Sequence, residues 1–367
     1  MKVICQGLDL SEAVLKVSKA LPTRSVSPAL EGIKLSAKDE SLIISATDGD
    51  LTIQNIISAD VLREGEVLVP GRFFTEYVRK LTNEQIELSL NDAKQIVIKY
   101  TDSEGVIQCL DQNEYPPFIR IDDAPKVLVT EEYLRECIEK VIFSVSTDDS
   151  RPALKGSLFE IEEYTLTAVA LDGYRLALCK KPLETSAEKL KAVVPARSLT
   201  ELSKLLENDD NVATVYINGK YMFVDLGKTN LCTKLLNSEF INYRQIIPTE
   251  FSTVIKINKS QFENALDRAS ILSRGDKNNL VKFDIKEGLL TLTSNSEIGN
   301  IKENITISLQ GKDLTVAFNA RYFSDCLKAM NNEFIKISLT NSVSPSIVQP
   351  CESDEITYLI LPVRMVG

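Results

Sequence analysis

Two aspartates in matching contexts, Asp48-Gly49 and Asp172-Gly173, are the residues of this chain whose types and spacing first suggest chemistry. Paired carboxylates can share general acid and base work, as in glycoside hydrolysis, provided they stand roughly 5 to 10 Å apart. Their surroundings argue against that use. Leu30, Gly32, Asp48 and Gly49 precede Leu154, Gly156, Asp172 and Gly173 by 124 positions each, so the aspartates are equivalents in an internal repeat and belong to separate modules. Taken singly, each Asp-Gly is an ordinary turn between strands.

Other catalytic sets are missing from the sequence. Histidine is absent, which removes the commonest general base and the commonest metal ligand together. The seven cysteines (Cys5, Cys109, Cys137, Cys179, Cys232, Cys326 and Cys351) are odd in number and dispersed, with no CxxC pair. That pattern suits reduced, packed thiols rather than a disulfide frame or a zinc site. The expectation is a protein with no catalytic residue, no metal and no cofactor.

The elements that position these residues repeat as well. At 367 residues, with 44% hydrophobic and 26% charged side chains, the chain has room for two or three globular domains. A strand at 2–6 precedes a helix for which Ser11 is the expected N-cap, ended by Pro22. Strands at 30–37, 41–47 and 51–58 follow. The order then recurs as a strand at 66–69, a helix at 72–81, and strands at 85–90, 95–100 and 105–110. Ile86, Leu88 and Leu90 alternate with polar residues as a half-buried strand should. This is βαβββ twice over, and later segments repeat it, with helices at 131–143, 197–206, 260–272 and 321–330 and a hairpin turned at Asn218-Gly219.

The threefold signal is clearest at the second helix of each segment. Val69-Pro70-Gly71-Arg72-Phe73-Phe74 matches Val194-Pro195-Ala196-Arg197-Ser198-Leu199 and Phe318-Asn319-Ala320-Arg321-Tyr322-Phe323, with the arginines 125 and 124 positions apart. The expected fold is α+β: three similar domains, each a doubled βαβββ unit, at 1–122, 126–247 and 248–367. Net charge is −10, yet the six helical stretches sum to +3. A mildly positive helical surface on an acidic body would attract a polyanion to one face, although charge on helices is also what any solvated face carries. Each arginine sits at a helix start, where a cation opposes the helix dipole; phosphate contact or packing across a sheet edge would each account for it. No apolar run has the length of a signal peptide or a membrane span, so a cytoplasmic location is expected.

Together, Arg24 with Pro28-Ala29-Leu30, the Val69–Phe74 run, residues 151–160, Asp172-Gly173-Tyr174-Arg175-Leu176-Ala177, residues 240–248 and Leu361-Pro362-Val363-Arg364 resemble the β subunit family of bacterial DNA polymerase III, the sliding clamps, over the whole chain. The resemblance implies three DNA-clamp domains forming half of a six-domain ring, a head-to-tail homodimer around duplex DNA of any sequence. A clamp that slides should touch phosphates weakly and avoid base edges. Arg24, Arg72 and Arg197 are the DNA-facing cations it implies, while the loop Thr147-Asp148-Asp149-Ser150 is acidic here.

It also implies a groove that takes short peptide motifs of the replicative polymerase, the clamp loader and repair proteins. The matching positions are Arg151, Leu154, Leu171, Gly173, Tyr174, Arg175, Leu176, Ile241, Ile246, Val343, Ser344, Leu359, Leu361, Pro362, Val363 and Arg364. Ile241 stands where the family often has proline, Gln245 where it often has a basic residue, and Met365-Val366-Gly367 extend past its usual end. For the dimer interface it implies Phe73, Val106 and Ile107 of one protomer against Ile271 and Leu272 of its partner.

Overall fold

The computed structural model describes residues 1–24, 27–81, 84–121, 123–207, 209–273 and 279–364, so Met365-Val366-Gly367 lie outside the described residues. Six α-helices occur among those residues: α1 Gly7–Ser18, α2 Gly71–Val78, α3 Glu131–Val141, α4 Ala196–Ser203, α5 Lys259–Ser273 and α6 Ala320–Ala329. In α1, Leu10, Val14 and Val17 are buried, the single apolar stripe of a helix lying on a sheet. The expected N-cap was misplaced by one turn. The helix begins at Gly7 directly after the strand Lys2–Gln6, and Ser11 is buried inside it. Gly7 permits that abrupt start, because a Cβ there would stand 1.8 Å from the Leu81 carbonyl oxygen.

The chain forms two compact units, Met1–Arg135 with Leu183–Glu188 and Arg197–Leu235, and Glu136–Pro182 with Lys189–Ala196 and Leu236–Gly367. In the first, a five-stranded sheet runs in the order Asp60–Arg63, Lys2–Gln6, Gln85–Leu90, Gln95–Tyr100, Ser103–Gln108. Its eight-stranded companion contains a seam: Leu51–Ser58 of the first repeat pairs antiparallel with Thr229–Lys234 of the second, Thr52 opposite Cys232 and Ile53 opposite Leu231. Leu51, Ile53, Asn55 and Ile57 are the buried alternates of that strand. Buried Asn55 is satisfied across the seam by a 2.7 Å bond from Nδ2 to Thr229 Oγ1.

The second unit repeats the device. Its seven-stranded sheet joins Arg175–Pro195 to Ile356–Ile360, Leu176 opposite Leu359. A four-stranded sheet runs Gly299–Thr306, Leu289–Ser296, Leu280–Lys286, Leu314–Asn319. Phe262 of α5 and Phe323 of α6 meet Phe283 and Phe318 of that sheet with ring centroids 4.9 to 5.8 Å apart, a core of edge-on and tilted aromatics. Sheets therefore continue past the repeat boundaries, which periodicity alone does not reveal.

Candidate functional site

The Asp-Gly turns are the repeated local structure around which both candidate sites are built. Asp48 Oδ1 accepts from the N–H groups of Asp50 and Leu51 at 2.9 and 2.8 Å, and Asp172 Oδ1 accepts from those of Tyr174 and Arg175 at 2.9 and 3.0 Å. Each aspartate is also spent on an arginine. Asp48 pairs with Arg197, and Asp172 Oδ2 receives Arg175 Nε at 3.0 Å. Each aspartate is thus matched with a cation and tied to its own turn, which leaves neither as an uncommitted carboxylate for acid–base work. Burial pushes the Cys5 and Cys232 thiols up to about 12, which leaves them without thiolate character near neutral pH.

The cationic site lies in the first unit. Arg72 Nη2 donates to the carbonyls of Pro22 and Thr23 at 3.1 and 3.0 Å, and Arg197 Nη2 donates to that of Leu21 at 3.1 Å. Two guanidiniums thus fasten the segment leaving α1. Arg24, next along, is exposed and has no ion-pair partner among the described residues. The three cations are brought together, but with unequal duties: Arg24 is free to meet a ligand, while Arg72 and Arg197 are partly committed to holding it out. Sequence reasoning treated them as alike, because a carbonyl acceptor leaves no trace in composition.

The apolar site lies in the second unit. Leu154, Leu171, Leu176, Ile347, Tyr243 and Leu359 form one buried cluster, with Phe240, Ile247 and Leu361 packed against it. Tyr174, Ile241, Ile246 and Val343 are 62%, 46%, 43% and 64% exposed. Asn341 Oδ1 holds the turn carrying Val343 and Ser344 by accepting from both backbone N–H groups. The tail is pinned by Leu361 N–H to the Tyr174 carbonyl at 2.9 Å and Val363 N–H to the Ala317 carbonyl at 2.8 Å. Pro362 is half-buried and Arg364 exposed beyond it. Gly173 takes φ +95°, and the Arg151 guanidinium lies where a Cβ would come within 3.0 Å of it.

Two expected contact residues take other roles. Arg175 is 7% exposed and committed within the unit: Nη1 donates to Asp325 Oδ2 at 2.6 Å and Nη2 to the Phe143 carbonyl at 2.7 Å, with the guanidinium over the rings of Phe143 and Tyr322. Burial alone would lower its pKa, but the Asp325 bond and the Asp172 and Asp325 charges more than offset that and raise it. It is a buried strut, with its guanidinium spent on Asp172, Asp325 and the Phe143 carbonyl. Ile107 is buried, turned inward by strand alternation, whereas Val106 beside it is 50% exposed. Phe73 and Ile271 are each 57% exposed, and Leu272 is half-buried. In the acidic loop, Asp148 is engaged by Ser150 and Asp149 by Lys155.

Three modules of one α+β plan thus carry a fastened cationic turn in the first unit and a buried apolar cluster in the second. Profiles of the DNA polymerase III beta subunit match the chain in three consecutive parts: the N-terminal domain at residues 1–119, the central domain at 128–242 and the C-terminal domain at 244–364. The beta sliding clamps of Staphylococcus epidermidis and Staphylococcus aureus are each 32% identical over 358 residues, 94% of either chain. A DNA polymerase sliding clamp from Bacillus subtilis superposes with a TM-score of 0.97 at 30% identity, and the DNA polymerase III beta subunit of Thermotoga maritima with 0.93 at 28%, both over 100% of each chain. The chain belongs to the DNA polymerase III beta subunit family, the sliding clamps, and it is a processivity factor of DNA replication.

Proposed function

We propose that two copies of this chain close head to tail into a six-domain ring around duplex DNA, with clamp domains at 1–122, 126–247 and 248–367. Arg24 meets the DNA backbone, and Arg72 and Arg197 position it. The observation that carries this reading is the fastened turn: two guanidiniums, those of Arg72 and Arg197, hold Leu21–Thr23, and the exposed Arg24 that follows has no ion-pair partner among the described residues. A few phosphate contacts suit a ring that is retained by topology, whereas dense lysines would grip. The groove of the second unit takes short peptide motifs of the replicative polymerase, the clamp loader and repair proteins. Its apolar floor is edged by Arg151, Ser344 and Arg364, which supply polar anchors for a peptide. The chain works in the cytoplasm, on the chromosome and away from membranes.

Retention on DNA tests the ring directly. Protein loaded onto a nicked circular plasmid is expected to co-elute with it through gel filtration in high salt and to be released once the plasmid is linearised. Equal retention on circular and linear DNA would mean gripping instead of encirclement.

A further inference from the structure

Two of the seven thiols meet inside the second unit, and their chemistry is independent of the ring reading. Helix α3 is fastened to the strand Arg175–Pro195 at two points. Glu136 Oε2 receives Lys181 Nζ at 2.6 Å, and just past the helix the Phe143 carbonyl receives Arg175 Nη2 at 2.7 Å. Arg175, Cys179 and Lys181 share one face of the strand by its alternation, while Leu176 and Leu178 turn the other way and join the apolar cluster.

Between the two fastenings stand Cys137 on α3 and Cys179 on the strand. Both are free thiols, both are 0% exposed, and their side chains hydrogen-bond to each other. Helix and strand are therefore already clamped with these two sulfurs in contact.

We infer that Cys137 and Cys179 form an oxidation site, at which a two-electron oxidant of the peroxide class converts the pair to a disulfide that staples α3 to the strand. One thiolate attacks a peroxide oxygen and becomes a sulfenic acid, with loss of water; the second sulfur then displaces the sulfenic hydroxyl, which leaves as a second water. Two thiols and one hydrogen peroxide thus give one disulfide and two waters. The setting makes the reaction slow. The bond to Cys179, together with burial, holds the Cys137 pKa well above the ordinary thiol value, so thiolate is scarce while the unit is closed. Oxidation proceeds through local opening of α3 and is faster at alkaline pH, and the buried bond that results is shielded from small thiols.

The link closes the loop between positions 137 and 179, which removes chain entropy from the unfolded state. It acts on the face of the strand opposite Leu176 and Leu178, so the apolar cluster keeps its packing. Oxidation stabilises the second unit rather than disabling it. Cys326, the third buried thiol of that unit, is the competing partner.

Thiol mapping of the full chain tests the site. After hydrogen peroxide at mildly alkaline pH, denaturation and alkylation, two of the seven thiols are expected to escape alkylation, with the peptides holding Cys137 and Cys179 joined, and reduction to restore all seven. The oxidised protein is expected to melt about 5 °C above the reduced one. Cys137→Ala and Cys179→Ala should each leave every remaining thiol open to alkylation, whereas Cys326→Ala should still lose two. If an alanine variant fails to fold, the linked peptide of the native chain decides alone. A Cys179–Cys326 link, a link found only between chains, or seven free thiols after prolonged oxidation would each overturn the site, and an oxidised protein that melts no higher would overturn the staple.

Discussion

The Tyr243 hydroxyl donates a 2.6 Å hydrogen bond to Glu160 Oε2, and that carboxylate is 2% exposed. Lys191 Nζ reaches Glu160 Oε1 at 2.6 Å and Arg244 Nη2 reaches Oε2 at 2.8 Å. Tyr243 in turn belongs to the buried apolar cluster, and Ile241 and Ile246, on either side of it in sequence, are exposed. A buried charge with three donors therefore fixes one wall of an apolar site.

Glu160→Gln is expected to destabilise the fold by about 2 kcal/mol, at the lower end for a buried charged network because Lys191 and Arg244 are half in water. Peptide affinity should fall with it, by fluorescence polarisation with a short apolar peptide, as Ile241 and Ile246 lose their fixed position. A variant with unchanged melting temperature and affinity would remove Glu160 from that role.

The same carboxylate sets an acid limit. Burial would raise its pKa, but the bonds from Lys191, Tyr243 and Arg244 outweigh it and bring the group down from 4.5 to about 2. A depressed folded value means stability that is full above about pH 4.5 and lost as pH falls toward 2. Melting temperatures measured across that window should drop more steeply in the native protein than in Glu160→Gln, which has nothing there to protonate.

Arg24→Ala should lower the dependence of log K for DNA on log salt by about 0.9, the loss of one phosphate contact, with no change in melting temperature. Arg72→Ala should produce a similar loss together with about 1 kcal/mol of destabilisation, since it frees the Pro22 and Thr23 carbonyls. Identical slopes in native and Arg24→Ala protein would take Arg24 off the DNA surface.

Gly49 and Gly173 share a left-handed conformation, φ +98° and +95°, but not their surroundings. An added Cβ meets nothing within 4 Å at Gly49 and lies 3.0 Å from Arg151 at Gly173. Alanine at either should cost about 1 kcal/mol from the backbone alone. Only Gly173→Ala should also weaken peptide binding, by displacing Arg151, which parallel melts and titrations of the two variants would separate.

Truncation after Ile360 removes the Leu361 and Val363 N–H groups that tie the tail to Tyr174 and Ala317, and takes Leu361 from the groove. Peptide capture should be lost while sedimentation still reports the dimer, because the residues expected at the dimer interface, Phe73, Val106, Ile271 and Leu272, lie elsewhere in the sequence. Loss of both would make the tail structural.

Periodicity was enough for the repeat, the doubled βαβββ plan and most strand bounds, because alternation and helical spacing are short-range properties of neighbouring side chains. The strands Lys2–Gln6, Ser41–Thr47, Leu51–Ser58, Gln85–Leu90 and Gln95–Tyr100 fall where spacing alone places them. Arg72, Arg197 and Arg321 were legible as a set from the repeat. What each one holds was decided only in three dimensions. Arg197 meets an aspartate 149 positions away, and Tyr243 a glutamate 83 away. Neither separation has a period, so these pairings follow from where the folded sheets set their ends. The inward turn of Ile107 and the burial of Arg175 have the same origin: a residue's type states what it can bond, and the packed neighbours determine whether that capacity is spent inside the protein or left for a partner.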